Sequence, residues 1–234
     1  MFTVELAGVR IGIDNRYAFV EEQCRAFTVP DGEVAFTVSV TEEEIREEAS
    51  GGDFSDGYCE SICVYRNICE QIAEHNVFLM HASVIEVDGY AYAFAAKSGV
   101  GKSTHTRLWL KNVPHARVLN GDKPLMRWET DGSITAFGTP WNGKEGWGEN
   151  ISAPLAAVCF LERGAQNSIR PAGEDEILTR LMHQLYLRGE RTSVQRRLIL
   201  MDRLISAVPY YVLACTISDE AARIAYGAMC PTKC

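Results

Sequence analysis

The sequence predicts an α/β protein with a mixed sheet and a phosphate-binding loop (P-loop) in its core. Three observations lead to this prediction. Segments of alternating apolar residues are interspersed with segments of helical periodicity. Asp88-Gly89, a strong hairpin signal, joins two apolar runs. The second run leads straight into SGVGKST at 98–104, and a helical pattern follows it.

Composition and charge restrict the classes of function. The chain has 234 residues, of which 47% are hydrophobic and 23% charged, and its formal net charge is −8. This acidic balance argues against nucleic acid as a main partner, because phosphate backbones are bound by clustered Lys and Arg. The longest apolar run, 153–161, is too short to span a bilayer, and the N-terminus lacks the features of a secretory signal. We therefore expect a cytoplasmic protein without a membrane partner; its oligomeric state stays open.

Eight cysteines raise the question of disulfides or a metal cluster. Cys59, Cys63 and Cys69 lie in an amphipathic helical segment, where thiols usually act as small buried hydrophobes. Cys230 and Cys234 form a C-x3-C pair with no second pair at zinc spacing. Reduced thiols are therefore expected.

The chain is expected to divide into a β-rich N-terminal region at 1–56 and a core at 57–234 that contains the P-loop. Residues 34–40 alternate in polarity as a strand does, 41–50 form an acidic helical segment, and 51–57 read as a linker. Later segments predict helices at 174–189, 192–208 and 218–229, the last capped by Ser218, and a buried strand at 209–215.

The segment at 98–104 resembles the common pattern G-x-x-x-x-G-K-[ST], except that Ala96 stands at the first glycine position. Glycines let successive N–H groups curl around an anion, whereas the alternative is a chance glycine turn. Lys102 is expected to reach the β- and γ-phosphates, and the Ser103 hydroxyl to ligate Mg²⁺ or Mn²⁺. The predicted nucleotide-binding residues are Ser98, Gly99, Val100, Gly101, Lys102, Ser103 and Thr104.

The hairpin before this loop predicts the position of His81. If Asp88-Gly89 forms the turn, Val87 pairs with Tyr90, and the same register places His81 opposite Ala96 at the loop entry. Cross-strand Cβ atoms lie about 5 Å apart. The register therefore predicts an imidazole beside the phosphates; the alternative is a structural histidine.

Asp122 follows the next predicted strand, 115–120, which should run parallel to the strand before the loop. Ligands in such sheets bind beyond the carboxyl ends of the strands. A carboxylate there holds Mg²⁺ or accepts the proton of an attacking hydroxyl, whereas the alternative is a turn aspartate.

Residues 137–150 are rich in Gly, Trp and Asn, with Lys144 at the centre. Lys144 is a candidate substrate residue that would clamp a phosphate or the acceptor; an inert surface loop is the alternative. No spacing separates a functional arginine from a surface one among Arg163, Arg170, Arg191, Arg196 and Arg197.

MHASVIEVDGYAYAFAAKSGVGKST, together with LNGDKP, resembles the HPr kinase/phosphorylase and phosphoenolpyruvate carboxykinase superfamily over residues 78–128. That superfamily has a histidine on the strand before the hairpin, an S-G-x-G-K-[ST] loop and an aspartate pair after the next strand. The resemblance implies its fold and gives phosphate, metal and catalytic roles to Lys102, Ser103, His81 and Asp122. Ala96 is then no defect, because the signature begins at Ser98. One departure is that the aspartate pair is Gly121-Asp122 here.

The resemblance implies a Mg²⁺- and ATP-dependent kinase that transfers the γ-phosphate to a hydroxyl. The acceptor would be a serine of a small protein or peptide, or free serine; GTP and pyrophosphate stay open as donors. A non-catalytic nucleotide-sensing module is the alternative, favoured by Gly121. Carboxykinase-like lyase activity is less favoured, because the chain is short and has no matching oxaloacetate-binding segment. Restoring the pair by Gly121→Asp should be tolerated unless residue 121 needs a positive φ.

Overall fold

The computed structural model describes residues 1–97, 99–186 and 191–230. The described strands are β1 Phe2–Leu6, β2 Val9–Asp14, β3 Phe36–Ser39, β4 Val77–Leu79, β5 Ser83–Val87, β6 Tyr90–Ala95, β7 Arg117–Asn120, β8 Leu125–Trp128, β9 Ile134–Phe137, β10 Ser152–Arg163, β11 Ser168–Pro171 and β12 Tyr210–Cys215. The α-helices are α1 Ala18–Cys24, α2 Glu42–Ala49, α3 Asp56–Gln71, α4 Lys102–Asn112, α5 Glu174–Met182, α6 Arg191–Ala207 and α7 Asp219–Met229.

The larger of two sheets is mixed, with the strand path β4-β8-β9-β10-β6-β5-β7. The long strand β10 connects its two halves. Its first residues pair antiparallel with β9, and its later residues pair parallel with β6 and with β12. Because one strand exchanges neighbours along its length, the sheet curls. The predicted α/β class with a mixed sheet is confirmed at this level.

Both faces of the central strands are covered, which explains their nearly continuous apolar sequence. All five residues of β5 are buried, and so are five of the six residues of β6. One face packs on Trp109 of α4 and on Ala222 and Ala225 of α7. The other face packs on Leu200 and Leu204 of α6. The sheet therefore holds the end of β6 between two helical layers.

The hairpin forms in the expected register. Val87 pairs with Tyr90 and Ser83 with Phe94, while Asp88 and Gly89 have φ values of 50° and 87°. Two successive positive φ values are typical of the tight turn that suits a hairpin. β7 runs in the same direction as β6, as expected, but β5 lies between them and pairs antiparallel with both.

Residues 1–56 contain a separate three-stranded sheet, β1-β2-β3, and also the helices α1 and α2, so a β-rich N-terminal region stays a prediction. The acidic segment forms α2, and Thr41 and Glu44 make a capping box at its start. The strands share one apolar core with α3, where Cys59, Cys63 and Cys69 are buried as expected. Because this core crosses the boundary at residues 56 and 57, that boundary stays a prediction.

The predicted helix at 174–189 is too long. α5 ends at Met182, and its last turn closes with hydrogen bonds from the N–H of His183 to Arg180 and of Gln184 to Leu181. Leu185 then forms a β-bridge with Met80. This long-range pairing overrides the helical pattern; residues 187–189 lie outside the described ones. Among the described helices, none has the length and apolar composition needed to cross a membrane.

Candidate functional site

The segment between β6 and α4, residues 96–101, is called the glycine loop below. Its Gly99 and Gly101 have φ values of 77° and 128°, which favour glycine. The Gly101 carbonyl accepts the first hydrogen bond of α4 from the N–H of His105, at 2.9 Å. The first N–H groups of a helix have no partner within it and attract anions. Ser98, which the sequence assigns to the same site, lies outside the described residues.

Three predicted residues meet beside this loop. The His81 Nε2 atom lies 3.1 Å from Lys102 Nζ and 2.9 Å from Asp122 Oδ1. A single ring nitrogen either donates a hydrogen bond or accepts one, so the two contacts require different positions of the ring proton. With a proton on Nε2 the ring donates to Asp122, and without one it accepts from Lys102. The imidazole is therefore placed to exchange partners within the trio.

The charges of the trio act on one another. Burial lowers the pKa of Lys102, and the negative charge of Asp122 opposes that effect. For Asp122 burial acts to raise the pKa, but the hydrogen bond and charge of His81, together with Lys123 and Lys102, bring it below its usual value. Asp122 is therefore ionised at neutral pH and able to accept a proton or bind a cation.

Asn120 positions Asp122. Its side-chain oxygen accepts hydrogen bonds from the N–H groups of Asp122, at 2.9 Å, and Lys123, at 2.8 Å. The Asn120 amide in turn donates to the carbonyl of Thr139. Sequence reasoning missed this residue, although an Asn two residues before the turn is a known signal.

His81 is held by its backbone as well as by its side chain. Its N–H donates to the Gln184 carbonyl at 2.7 Å. The paired ladder of β5 and β6 ends at Ser83 and Phe94, two residues short of His81 and Ala96. His81 therefore lies beside the glycine loop, as the register predicted, but another segment fixes its backbone.

A cavity of 490 Å³ lies in front of the trio and is called the His81 cavity below. It is lined by the glycine loop, by the Asp122 turn and by residues 142–145. The predicted residues that line it are Gly99, Gly101, Lys102, Ser103, Thr104, His81, Asp122 and Lys144. The structure thus brings together every described candidate except Val100.

Val100 lines a second cavity of 920 Å³, called the Arg163 cavity below. This larger cavity is not the one that His81 and Asp122 line, but both cavities border Lys97 and Gly99. Arg163 donates to the Gly99 carbonyl at 2.8 Å and so holds the glycine loop from that side. No sequence pattern distinguished Arg163 from the other arginines.

Residues 138–151, called the site loop below, are anchored on two helices. The buried Trp141 donates to Ser61 of α3 at 2.9 Å and stacks on Tyr65 with ring centroids 4.1 Å apart. From α4, Arg107 contacts Glu145 at 2.9 Å and lies over the Trp147 ring. Contacts at Trp141, Glu145 and Trp147 therefore anchor the site loop, while a substrate role for Lys144 stays a prediction.

Gly121 is needed because the site loop approaches its backbone. A Cβ atom there would lie 2.7 Å from the Asn142 carbonyl oxygen and 3.1 Å from that of Trp147. Its φ is not positive. The expectation that Gly121→Asp is tolerated is wrong, and the reason is this close backbone contact.

The predicted metal ligands suit Mg²⁺ bound together with phosphate. Among the described residues, no three His, Cys, Asp or Glu side chains gather as a metal site. However, the Ser103 hydroxyl and the Asp122 carboxylate border the same cavity. Mg²⁺ prefers oxygen ligands and usually takes one or two from protein and the rest from phosphates and water. The donor set therefore fits this ion.

No protein-family model matches the chain, and no curated protein matches it. Among solved structures, a similar chain is that of the Hpr(Ser) kinase/phosphatase from Coxiella burnetii. The TM-score is 0.36 at 10% identity, and the match covers 64% of this chain and 97% of that chain. No function follows from a likeness of this size.

Proposed function

We propose that this protein is a Mg²⁺- and ATP-dependent phosphotransferase that transfers the γ-phosphate to a hydroxyl acceptor, a serine of a small protein or peptide or free serine. The main support is the contact chain of Lys102, His81 and Asp122 beside the glycine loop. A cation at the start of a helix and an ionised carboxylate beside it are groups that phosphoryl transfer to a hydroxyl uses, and the imidazole contacts both.

The two cavities suggest how the nucleotide lies. Both border Lys97 and Gly99, so a triphosphate across the glycine loop has its nucleoside in the Arg163 cavity and its γ-phosphate in the His81 cavity. The apolar side of the Arg163 cavity, with Val100 and Leu161, suits a base. The N–H groups at the start of α4 and the Lys102 ammonium offset the phosphate charge.

In the transfer step the acceptor oxygen attacks the γ-phosphorus while the bond to the β,γ-bridging oxygen breaks, and ADP leaves. Asp122 takes the hydroxyl proton, and the His81 contact orients its carboxylate. Bound Mg²⁺ would be held by Ser103 and Asp122 and would neutralise phosphate charge. Because Gly121 offers no second carboxylate, the two oxygens of Asp122 would both accept the hydroxyl proton and hold Mg²⁺.

Incubation with γ-labelled ATP, Mg²⁺ and either free serine or host-cell lysate tests this proposal. We expect ADP together with a labelled acceptor, and loss of both with Asp122→Asn. GTP and pyrophosphate serve as parallel donors. If the protein binds nucleotide but transfers phosphate from none of these donors to any acceptor, it is a nucleotide-sensing module instead. The single carboxylate at 121–122 favours this alternative.

A cytoplasmic location is part of this proposal. The described residues contain seven cysteines, and all of them are free thiols. Free thiols are typical of a reducing compartment, where ATP is also available. The expected partners are a nucleotide and a hydroxyl acceptor.

A further inference from the structure

Four aromatic side chains form an exposed cluster outside the lining of the His81 cavity. Tyr17, Phe19, Phe54 and Tyr58, called the aromatic patch below, are 40–51% exposed. Ring centroids lie 6.3 Å apart for Phe19 and Tyr58 and 5.3 Å apart for Phe54 and Tyr58. Among the described residues, the only other large aromatic side chain with such exposure is Tyr90. A contiguous exposed group of this kind is typical of an interaction surface.

The aromatic patch is held in place by buried contacts beneath it. The fully buried Glu60 accepts hydrogen bonds from the N–H groups of Arg16, at 2.6 Å, and Tyr17, at 2.9 Å. Gly57 lets the first turn of α3 approach the 17–19 backbone, because a Cβ there would lie 2.9 Å from that of Phe19. A rigid aromatic surface loses little conformational entropy on binding.

The part of the chain that carries the patch is strongly acidic. Residues 1–57 contain thirteen Asp and Glu against four Arg and no Lys, a net charge of −9, although the whole chain has only −8. The Tyr17 hydroxyl contacts Asp56 at 3.1 Å. That hydrogen bond and the charges of Asp56, Glu60 and Glu42 raise the pKa of Tyr17. The nearby cation Arg16 faces Glu42 at 3.4 Å.

This combination favours a cationic partner. Aromatic faces attract Lys and Arg side chains, and surrounding carboxylates add to that attraction. A second copy of the chain would bring two negative regions together, and anionic membranes and nucleic acids would be repelled for the same reason.

Helices α1 and α3, which carry Phe19 and Tyr58 of the aromatic patch, also contact the site loop. On α1, Gln23 lies one turn after Phe19 and donates to the Pro140 carbonyl at 3.2 Å. On α3, Ser61 lies one turn after Tyr58 and accepts the Trp141 hydrogen bond. Both contacts reach the site loop just before residues 142–145, which line the cavity. A segment bound on the patch therefore lies on the same two helices that hold the site loop beside the cavity.

We infer that the aromatic patch binds a basic, amphipathic segment of a polypeptide acceptor and so directs one of its serines into the His81 cavity. This inference rests on the proposed phosphotransferase and narrows its acceptor to a protein or peptide. The basic residues of the acceptor would lie over the rings and near the carboxylates, and its apolar residues would fill the spaces between the rings.

A binding measurement separate from catalysis tests this inference. The probe is a fluorescein-labelled peptide of lysine and leucine at amphipathic helical spacing with one serine, and its control carries glutamate for every lysine. At about 0.15 M salt we expect the lysine peptide to bind and the glutamate peptide not to bind. The double variant Phe19→Ser/Tyr58→Ser should weaken binding about tenfold or more, since exposed aromatics dominate such interfaces. Tyr90→Ser, an equally exposed tyrosine outside the patch, should leave binding unchanged.

The inference would be overturned if the patch variant and Tyr90→Ser lost the same amount of peptide affinity. It would also be overturned if the lysine and glutamate peptides bound equally well. The melting temperatures of the variants must match wild type. Asp56→Asn, which removes the negative charge beside the Tyr17 hydroxyl, is a milder variant that should weaken binding at low salt. A dimer in sedimentation that Phe19→Ser dissociates would assign the patch to self-association instead. Peptide binding without phosphorylation would keep the docking surface but reject the kinase, whereas phosphorylation of free serine without peptide binding would do the reverse.

Discussion

Gly121 lies against the carbonyl of Asn142 so closely that a Cβ atom would be 2.7 Å from that oxygen. Its own N–H donates to the Trp147 carbonyl at 2.8 Å. Backbone atoms of the site loop thus occupy the space that a side chain at 121 would need. The glycine at this position follows from packing, whatever its relation to catalysis.

Gly121→Ala should therefore lower the free energy of unfolding by about 1–3 kcal/mol, the usual range for overpacking a tight site. Gly173→Ala is the matched control, because its Cβ would meet no atom within 4 Å. Denaturant unfolding of both variants measures the difference. A Gly121→Ala variant as stable as Gly173→Ala would show that the site loop moves aside easily.

Lys102→Ala should abolish most of the rise in melting temperature that Mg-ATP causes, because a ligand of the native state stabilises it by mass action. The apo protein should stay folded, because Asp122 keeps its contact with His81 when the half-buried ammonium is removed. Lys111→Ala removes an exposed lysine of the same helix that pairs with Asp219, and it should keep the shift. If wild type shows no shift with ATP, GTP or pyrophosphate, the site assignment fails.

Asp122→Asn keeps the shape of the side chain but removes its charge, so turnover should fall at least about 10²-fold, the scale of a general base. Nucleotide binding should survive, because the glycine loop and Lys102 remain. Asp131→Asn alters a carboxylate in an exposed turn and should leave turnover unchanged. Unchanged turnover in Asp122→Asn would remove this residue from the chemistry.

His81→Ala should lower the transfer rate more than it lowers nucleotide affinity, because His81 contacts Asp122 and Lys102 rather than the glycine loop. Single-turnover rates and nucleotide dissociation constants, measured on the same preparation, separate the two effects. A variant that loses affinity with no change in rate would make His81 a binding residue only.

His105 should make the protein less stable in mild acid. Its side chain is 2% exposed and packs on Phe94, and burial lowers its pKa from 6.5 to about 4. Protonation then favours the unfolded chain, so stability is complete above pH 6.5 and falls as the pH drops toward 4. The loss at pH 5 amounts to about 2 kcal/mol.

The free energies of unfolding of wild type and His105→Leu, measured at pH 7.5 and pH 5, give this loss of stability in acid. The variant should not show the part of the loss that His105 causes. His115→Gln is the control, because His115 is exposed beside Asp88. A pH dependence of His105→Leu identical to that of wild type would contradict the assignment.

The local features of this protein were predictable from its sequence. The Asp88-Gly89 turn fixed the register of β5 and β6, the glycines allowed the positive φ values of the loop, and Ser218 capped α7 as expected. These features depend on backbone preferences and hydrogen bonds within a few residues. The proximity of His81 to Lys102 followed from them, because a tight hairpin leaves only one register.

The tertiary structure alone decided the surroundings of the site. Arg163 reaches Gly99, Gln184 holds His81, and the site loop fills the space beside Gly121. The tertiary structure also ends α5 early, because Leu185 pairs with Met80. It brings one further group of residues together into an exposed surface, namely Tyr17, Phe19, Phe54 and Tyr58. These contacts join residues far apart in the chain, and they arise from the packing of sheets and helices rather than from any periodicity along the sequence.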